Sequence, residues 1–390
     1  MKVLMTCGAL AAGEFAASYV PAWADIWPFA VLLTVLIVLF GYGFSVRGWP
    51  VAAIFLIGVT LFLFNSVEQE HLYREKPWLR GCLSHMQRSS LSSDGFATEL
   101  KADFSRRVGL GLDAEREVVT LNRAILLGER SRLSRRMKRV FTASGTMHIF
   151  AISGLHVMTI ANVLIYLLAV LFVSRRLAGV FVTPFLWGYV YLIGSPPSAV
   201  RAALMASICF LAPLLWRRPN LLRAWALTFL AVHILHPQMI VDVGNALSFI
   251  VMLAIALVVE CGLRTGLRVP FYWVTVVLWA VGVPIAAHVF GQVAPGGILA
   301  NLVLITAAGW TVYTGAIGVI VSFASEPVAG HFNNLSALCT KAMVGISEFV
   351  ARLPGSSFEV PRWTIPQCVE WYALIVLIVF LVYSIRKRRF

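Results

Sequence analysis

Uninterrupted apolar runs long enough to cross a bilayer recur along this 390-residue chain, and no other feature constrains its fold as much. A transmembrane helix needs about 20 largely apolar residues. Such windows fall near 4–22, 26–45, 49–66, 147–173, 178–194, 197–215, 221–236, 238–261, 271–290, 296–322 and 366–385. Strands of a membrane barrel would alternate polar and apolar residues over roughly ten positions, and these runs do not. Composition agrees: 59% of residues are apolar and 13% charged, against roughly 45–50% and about 25% in soluble domains. So few charges cannot cover a water-facing surface, and the excess apolar area has to meet lipid. The expected fold is all-α, a polytopic transmembrane helical bundle of about 10–11 spans with a small helical extramembrane segment. Disorder, collagen-like repeats and a disulfide scaffold are excluded.

The first window is interrupted by Glu14, and Lys2 with the run ending Ala22-Trp23-Ala24 mimics a cleavable signal peptide. A retained helix is the favoured reading, because a second window begins almost at once. Loop charge then sets orientation. Arg175, Arg176, Arg217, Arg218, Arg223, Arg264 and Arg268 lie in alternate short loops, whereas 194–197, 236–238 and 291–297 carry no Lys or Arg. This is a strong positive-inside pattern. It places Lys2 and Arg47 inside and Asp25 outside. Eleven simple crossings would leave Arg386-Lys387-Arg388-Arg389 outside, against the rule. Either 296–322 is broken or 332–353, with Lys341 and Glu348, re-enters the membrane.

The chain divides into N-terminal transmembrane helices (1–66), a polar, mainly helical extracytoplasmic segment (67–146) and a second transmembrane domain (147–390). The polar segment holds 15 Lys+Arg and 10 Asp+Glu. It reads as two or three amphipathic helices between Phe96 and Val140, broken at Gly109, Gly111 and Gly128. The net charge of +14 suits either cytoplasmic loops of a membrane protein or a polyanionic ligand. The six cysteines include no C-x-x-C, so neither a zinc site nor a redox motif is supported; they read as packing residues.

Polar groups inside spans are costly and make default functional candidates. Ser153 and His156 share a helix face in the first turns of the fourth window, where an interhelical hydrogen bond is the plainer reading. His148 and His156 are eight apart, no metal pair on a straight helix. Ser195 to Arg201 open the sixth window, with Ser195 as a candidate cap and Ser198, Ala202 and Ala206 as a small-residue stripe. Arg201, one turn in, is placed to snorkel to the interface or to pair with Asp242. Asp242, Asn245 and Ser248 open the eighth window in the same way. His156, Arg201, Asp242, Asn245, His288 and Asn301 all fall in the outer halves of their helices, which suggests a water-filled outer vestibule. Before the fourth window, Arg130, Arg132, Arg135, Arg136, Lys138 and Arg139 pack six basic residues into ten. Such a run can meet a phosphate backbone or anchor an amphipathic helix to head groups.

At these motifs the sequence resembles the ComEC family of competence DNA-uptake channels. Leu126 to Ser131, His148 to Val157, Ser198 to Arg201 and Asp242-x-Gly244-x-x-Leu247-Ser248-Phe249 carry the resemblance. Pro295 to Leu302, with Asn301, and Leu353-Pro354-Gly355 extend it. It implies passage of single-stranded DNA across the inner (plasma) membrane by a multi-pass channel subunit. It also implies a lipid-bilayer setting and, as separate companions, a nuclease, a DNA-binding receptor and a cytoplasmic ATPase; an oligomer is open. Family members often add an oligonucleotide-binding-type β-domain and a metallo-β-lactamase-like domain, and neither is expected here. There is no H-x-H-x-D-H cluster. Asn245 and Ala246 stand where the family has an aromatic residue and Gln. A phosphate funnel could be supplied by the basic run, while Trp187, Tyr189 and Tyr191 serve either as stacking surfaces or as packing.

With no catalytic triad, phosphate loop or metal-ligand set in the sequence, no enzyme and no cofactor are expected. Two other readings stay open: a secondary transporter of a small anion using Asp242, Arg201 and His156, and a non-transporting membrane assembly subunit.

Overall fold

The computed structural model describes residues 95–112, 115–236, 239, 242–265 and 270–387. The windows at 4–22, 26–45 and 49–66 lie outside the described residues. What is described is all-α apart from one two-residue strand pair, as the apolar runs require of backbone that must satisfy its own hydrogen bonds in lipid. Three amphipathic helices come first: α1 (Gly95–Val108), α2 (Arg116–Leu127) and α3 (Arg135–Ala143). They break at the expected glycines, with Gly111 and Gly128 at φ of +77° and +73°. Then follow α4 (Gly154–Val170), α5 (Arg175–Leu192), α6 (Pro197–Leu211), α7 (Leu221–Leu235), α8 (Val243–Thr265), α9 (Phe271–Phe290), α10 (Gly296–Val321), α11 (Glu326–Arg352) and α12 (Ile365–Lys387).

Four of these meet the length and hydropathy needed to span a bilayer: 197–215, 243–260, 271–290 and 296–321. α4 and α7 are apolar but shorter. The end of α4 and the turn after α6 expose Val170, Leu171, Phe172, Leu215 and Trp216, side chains that water would not tolerate in such number. The Arg176 guanidinium sits 4.2 Å from the Trp216 ring centroid. The α4–α5 turn and the end of α6 are thereby brought to one side, where the charge pattern also places them.

α10 is not broken. It is a single helix of 26 residues, and α11 is a single helix of 27 that returns along it. At 1.5 Å per residue each is roughly 40 Å long, so the return reaches the end from which α10 began. Backbone contacts fix this: Gly296 N–H donates to Ser356 O at 3.0 Å. In addition β1 (Gln292–Val293) pairs antiparallel with β2 (Phe358–Glu359). α12 therefore starts beside the start of α10 and runs to the opposite side. The last described residues of α12 therefore lie on the side of the other arginine-rich loops, as the charge rule asks.

α1 to α3 lie against this hairpin along its length. At one end Arg107 Nη1 donates to Ser322 Oγ (2.9 Å) and its guanidinium stacks 3.9 Å over Phe323. At the other, Arg136 Nη2 donates to Glu348 Oε1 at 2.8 Å, and Lys341 Nζ donates to Glu115 Oε1 at 2.6 Å. The apolar faces of α2 and α3 (Ile125, Leu126, Met137, Phe141) join Phe150, Ala300, Leu304 and Val312 in one core. A second core holds α4, α5 and α6, and a third α7, α8, α9 and α12.

Candidate functional site

Asp242 precedes α8, and its Oδ1 accepts from Asn245 N–H at 2.6 Å. This is the N-cap bond that a short acidic side chain makes to the third residue on. The cap settles the first turn and leaves the Asn245 side chain facing α6 and α7. There Arg201 Nη1 donates to Asn245 Oδ1 at 2.9 Å, Arg201 Nε to Ser248 Oγ at 3.1 Å and Nη2 to Gly244 O at 3.4 Å. The guanidinium also lies 5.6 Å from the Phe249 ring centroid. Asn245 Nδ2 donates to Met239 O at 2.8 Å and faces His233 Nε2 at 3.0 Å. His233 Nδ1 contacts Phe229 O at 2.7 Å. A carbonyl only accepts, so Nδ1 carries the proton and Nε2 receives the Asn245 amide. The chain Arg201, Asn245, His233, Phe229 is satisfied in one direction throughout.

Two sequence expectations are corrected here. Arg201 does not snorkel: it is 3% exposed. Nor does it form an ion pair with Asp242, whose carboxylate caps α8 instead. The cause is reach: Gly244, Asn245 and Ser248 already surround the guanidinium with oxygens. The cation is thus held in the bundle interior by direct contacts to neutral groups. Asn245 carries the central contacts although it departs from the family's residue. His233 was not singled out in the sequence. It sits four residues after Phe229 on α7, and only the structure shows that this spacing brings the two rings together at a tilt, centroids 4.1 Å apart.

Ser153 and His156 meet as a capping pair at the start of α4 rather than across helices. His156 Nδ1 accepts from Ser153 N–H at 3.2 Å, the role Glu or Gln plays in a capping box. His156 is 1% exposed, and its Nε2 has no hydrogen-bond partner. The family motifs converge at this point. Ser198 Oγ donates to Ile152 O at 2.5 Å. A Cβ at Gly128 would lie 2.9 Å from Ile152 Cδ1, so the turn leading to Arg130 is pressed against the same residue. Tyr189 OH donates to Leu126 O at 3.0 Å, and Trp187 Nε1 to Ser207 Oγ at 3.1 Å. Tyr189 and Trp187 are therefore tied into packing. Ser195 does not cap α6; Pro196 occupies the N-cap position and Ser195 sits in the turn before it at φ +50°.

The remaining candidates are dispersed. His288, near the end of α9, contacts Trp363 O through Nδ1 at 2.6 Å. Asn301 stands in the second turn of α10 with a buried, unpartnered Oδ1. In the basic run, Ser134 Oγ accepts from Met137 N–H at 3.2 Å and starts α3. Met137 and Phe141 are buried while Arg130, Arg132, Arg135, Arg136, Lys138 and Arg139 are exposed. Among the described residues, only Arg132 (Glu129, 3.9 Å) and Arg136 (Glu348, 2.8 Å) of this run reach a carboxylate. A cationic face is thus presented outward beside an apolar anchor.

One polar feature escaped the sequence reading. Thr340 Oγ1 donates to Asn122 Oδ1 at 2.5 Å, Ser336 Oγ to Thr311 O at 3.1 Å, and Asn333 Nδ2 to Arg107 O at 2.8 Å. These buried groups form a polar seam where α1 and α2 meet the α10–α11 hairpin. The spacing of Asn333, Ser336 and Thr340 on α11 is the helical signal that could have revealed it.

Taken together, the helices, the lipid-compatible surface and the buried polar core define a polytopic α-helical membrane protein. The sequence matches the competence protein family over residues 125–384, two thirds of its length, and the chain belongs to that family. It is also similar to ComE operon protein 3 of Bacillus subtilis (strain 168), 25% identical over 273 residues. That alignment covers 68% of this chain and 34% of the relative, so the chain spans about a third of the length of the curated relative it matches. No solved structure matches.

Proposed function

We propose that this protein is the inner-membrane subunit of a competence-type DNA-uptake system, a channel through which single-stranded DNA passes. The observation that carries the reading is Arg201: a guanidinium buried between α6 and α8, satisfied by Asn245, Ser248 and Gly244, with no carboxylate within salt-bridge range among the described residues. Burying a cation costs several kcal/mol. Holding it through neutral oxygens, with Asp242 acting only through space, keeps a positive field inside the bundle that favours anions. The exposed basic face of α3 extends that field to the membrane surface. A polyanion attracted there releases counterions, and family membership points to DNA as that polyanion. A nuclease, a DNA-binding receptor and a cytoplasmic ATPase are proposed as separate partners, and the chain acts as a conduit rather than a catalyst.

The same buried cation also favours a secondary transporter of small anions. The two readings separate in one experiment on the full chain in liposomes of zwitterionic lipid. Steeply salt-dependent binding of a single-stranded oligonucleotide, weakened by Arg201→Met, supports the channel. Indifference to the oligonucleotide, with proton- or sodium-coupled flux of phosphate or chloride, overturns it in favour of the transporter.

A further inference from the structure

His156 offers a donor that nothing among the described residues accepts. Its Nδ1 takes the backbone N–H of Ser153. A backbone N–H can only donate, so Nδ1 presents its lone pair and the neutral ring carries its proton on Nε2. That Nε2–H is buried, in a side chain 1% exposed, and has no partner. An unmatched buried donor costs about 1–3 kcal/mol, and native structures rarely keep one without a use. It stands at the first turn of the 17-residue helix α4, where free backbone N–H groups and the helix dipole add positive potential. The charged or titratable neighbours that act on His156 are Arg130 and His148, with no carboxylate among them. Glu129, the nearest acidic residue in sequence, is turned to Arg132. The Gly128 turn holds this side of the site in place through Ile152, and Ser198 holds it from α6.

We infer that the mouth of α4 is an oxyanion site, in which His156 Nε2–H, backed by Arg130, donates to a non-bridging oxygen of a phosphodiester. Resting on the DNA-channel reading, this site would be a stepping point for successive strand phosphates. A lipid head group or free phosphate offers the same oxyanion, and the experiment separates them.

The full chain in zwitterionic nanodiscs is titrated with a fluorescent single-stranded oligonucleotide, with its methylphosphonate counterpart (neutral linkages), with inorganic phosphate, and in parallel discs containing phosphatidylglycerol. His156→Asn keeps an acceptor near the Ser153 N–H and removes the distal donor. It is expected to weaken phosphodiester binding about tenfold, the worth of one charge-assisted hydrogen bond, and to leave methylphosphonate binding unchanged. In case the variant fails to fold, the wild-type protein with 15N-labelled histidine gives a second readout: the Nε2 resonance of His156 should shift on adding the oligonucleotide. If His156→Asn binds every phosphate probe as the wild type does, or the resonance stays still with all of them, the site is overturned. If inorganic phosphate or phosphatidylglycerol moves the resonance while the oligonucleotide does not bind, the oxyanion site stands and the DNA reading falls.

Discussion

The Arg201 guanidinium donates to the Asn245 side-chain carbonyl at 2.9 Å, and the amide of the same Asn245 passes its hydrogen to His233, 3.0 Å away. One neutral residue, 0% exposed, therefore joins α6, α7 and α8 and supplies the donor that the unprotonated Nε2 of His233 needs. Asn245→Leu would leave a buried cation and a buried imidazole acceptor short of partners. The expected loss is about 3 kcal/mol or more, measured by chemical denaturation in detergent. Arg201→Met combined with Asn245→Leu should be less destabilised than the two single losses added together, because the unpaired charge is gone. Strict additivity would mean that the bond contributes nothing.

Gly179 on α5 sets the distance to the end of α6. A Cβ there would fall well inside van der Waals contact distance of the Phe210 carbonyl oxygen. Backbone cannot step aside as a flexible side chain does. Gly179→Ala should therefore cost about 1–3 kcal/mol, as overpacking does, whereas Gly188→Ala, with nothing within 4 Å, should be neutral or slightly stabilising through helix propensity. Melting temperatures of the two variants decide it.

The clamp at the far end of α1 is electrostatic. Asp103 accepts from Arg107 Nε at 2.6 Å and from Arg106 Nη2 at 2.9 Å. The hydrogen bond from Arg107, then that from Arg106, holds its carboxyl below the usual range. A carboxylate lowered in the folded state contributes stability above its unfolded pKa, about 3.9, and loses it as pH falls through the folded value. Since Arg107 also binds Ser322 and stacks on Phe323, acidification should loosen α1 from the hairpin. The protection factors of α1 amides, measured against their intrinsic exchange rates, should fall below about pH 4 in the wild type. In Asp103→Asn the protection should already be low at neutral pH and change little on acidification. Equal pH profiles would remove Asp103 from the clamp.

Much of this fold could be read from run length alone, because lipid leaves helices as the main option and about 20 residues as their scale. The glycine breaks at Gly111 and Gly128 were legible for a related reason: both require positive φ. The course of α11 was not. Its buried face carries Ala329, Gly330, Asn333, Ser336, Ala337 and Thr340, small and polar residues whose value lies in what faces them, and hydropathy scores such a face as a loop. The same limit applied to Arg201. Spacing could place it one turn into a helix, near Asp242 in depth. It could not show that the Asp242 carboxylate would be used on its own helix, leaving Asn245 to meet the guanidinium.

The outward face of α3 yields the last prediction. Arg135, Lys138 and Arg139 are exposed and make no salt bridge among the described residues, whereas Arg136 is tied to Glu348 on α11. If the three free cations meet strand phosphates, each releases about 0.7 counterion from single-stranded DNA. Replacing all three by Gln should then flatten the log–log salt dependence of oligonucleotide binding by about 2 and leave the fold intact, since Met137 and Phe141 still anchor the helix. Arg136→Gln should act differently. It loses an exposed pair worth about 0–1 kcal/mol, and should affect the docking of α3 on α11 more than the salt slope. An unchanged slope in the triple variant would assign the face to lipid head groups, and replacing phosphatidylglycerol by a zwitterionic lipid would then release α3 from the membrane surface.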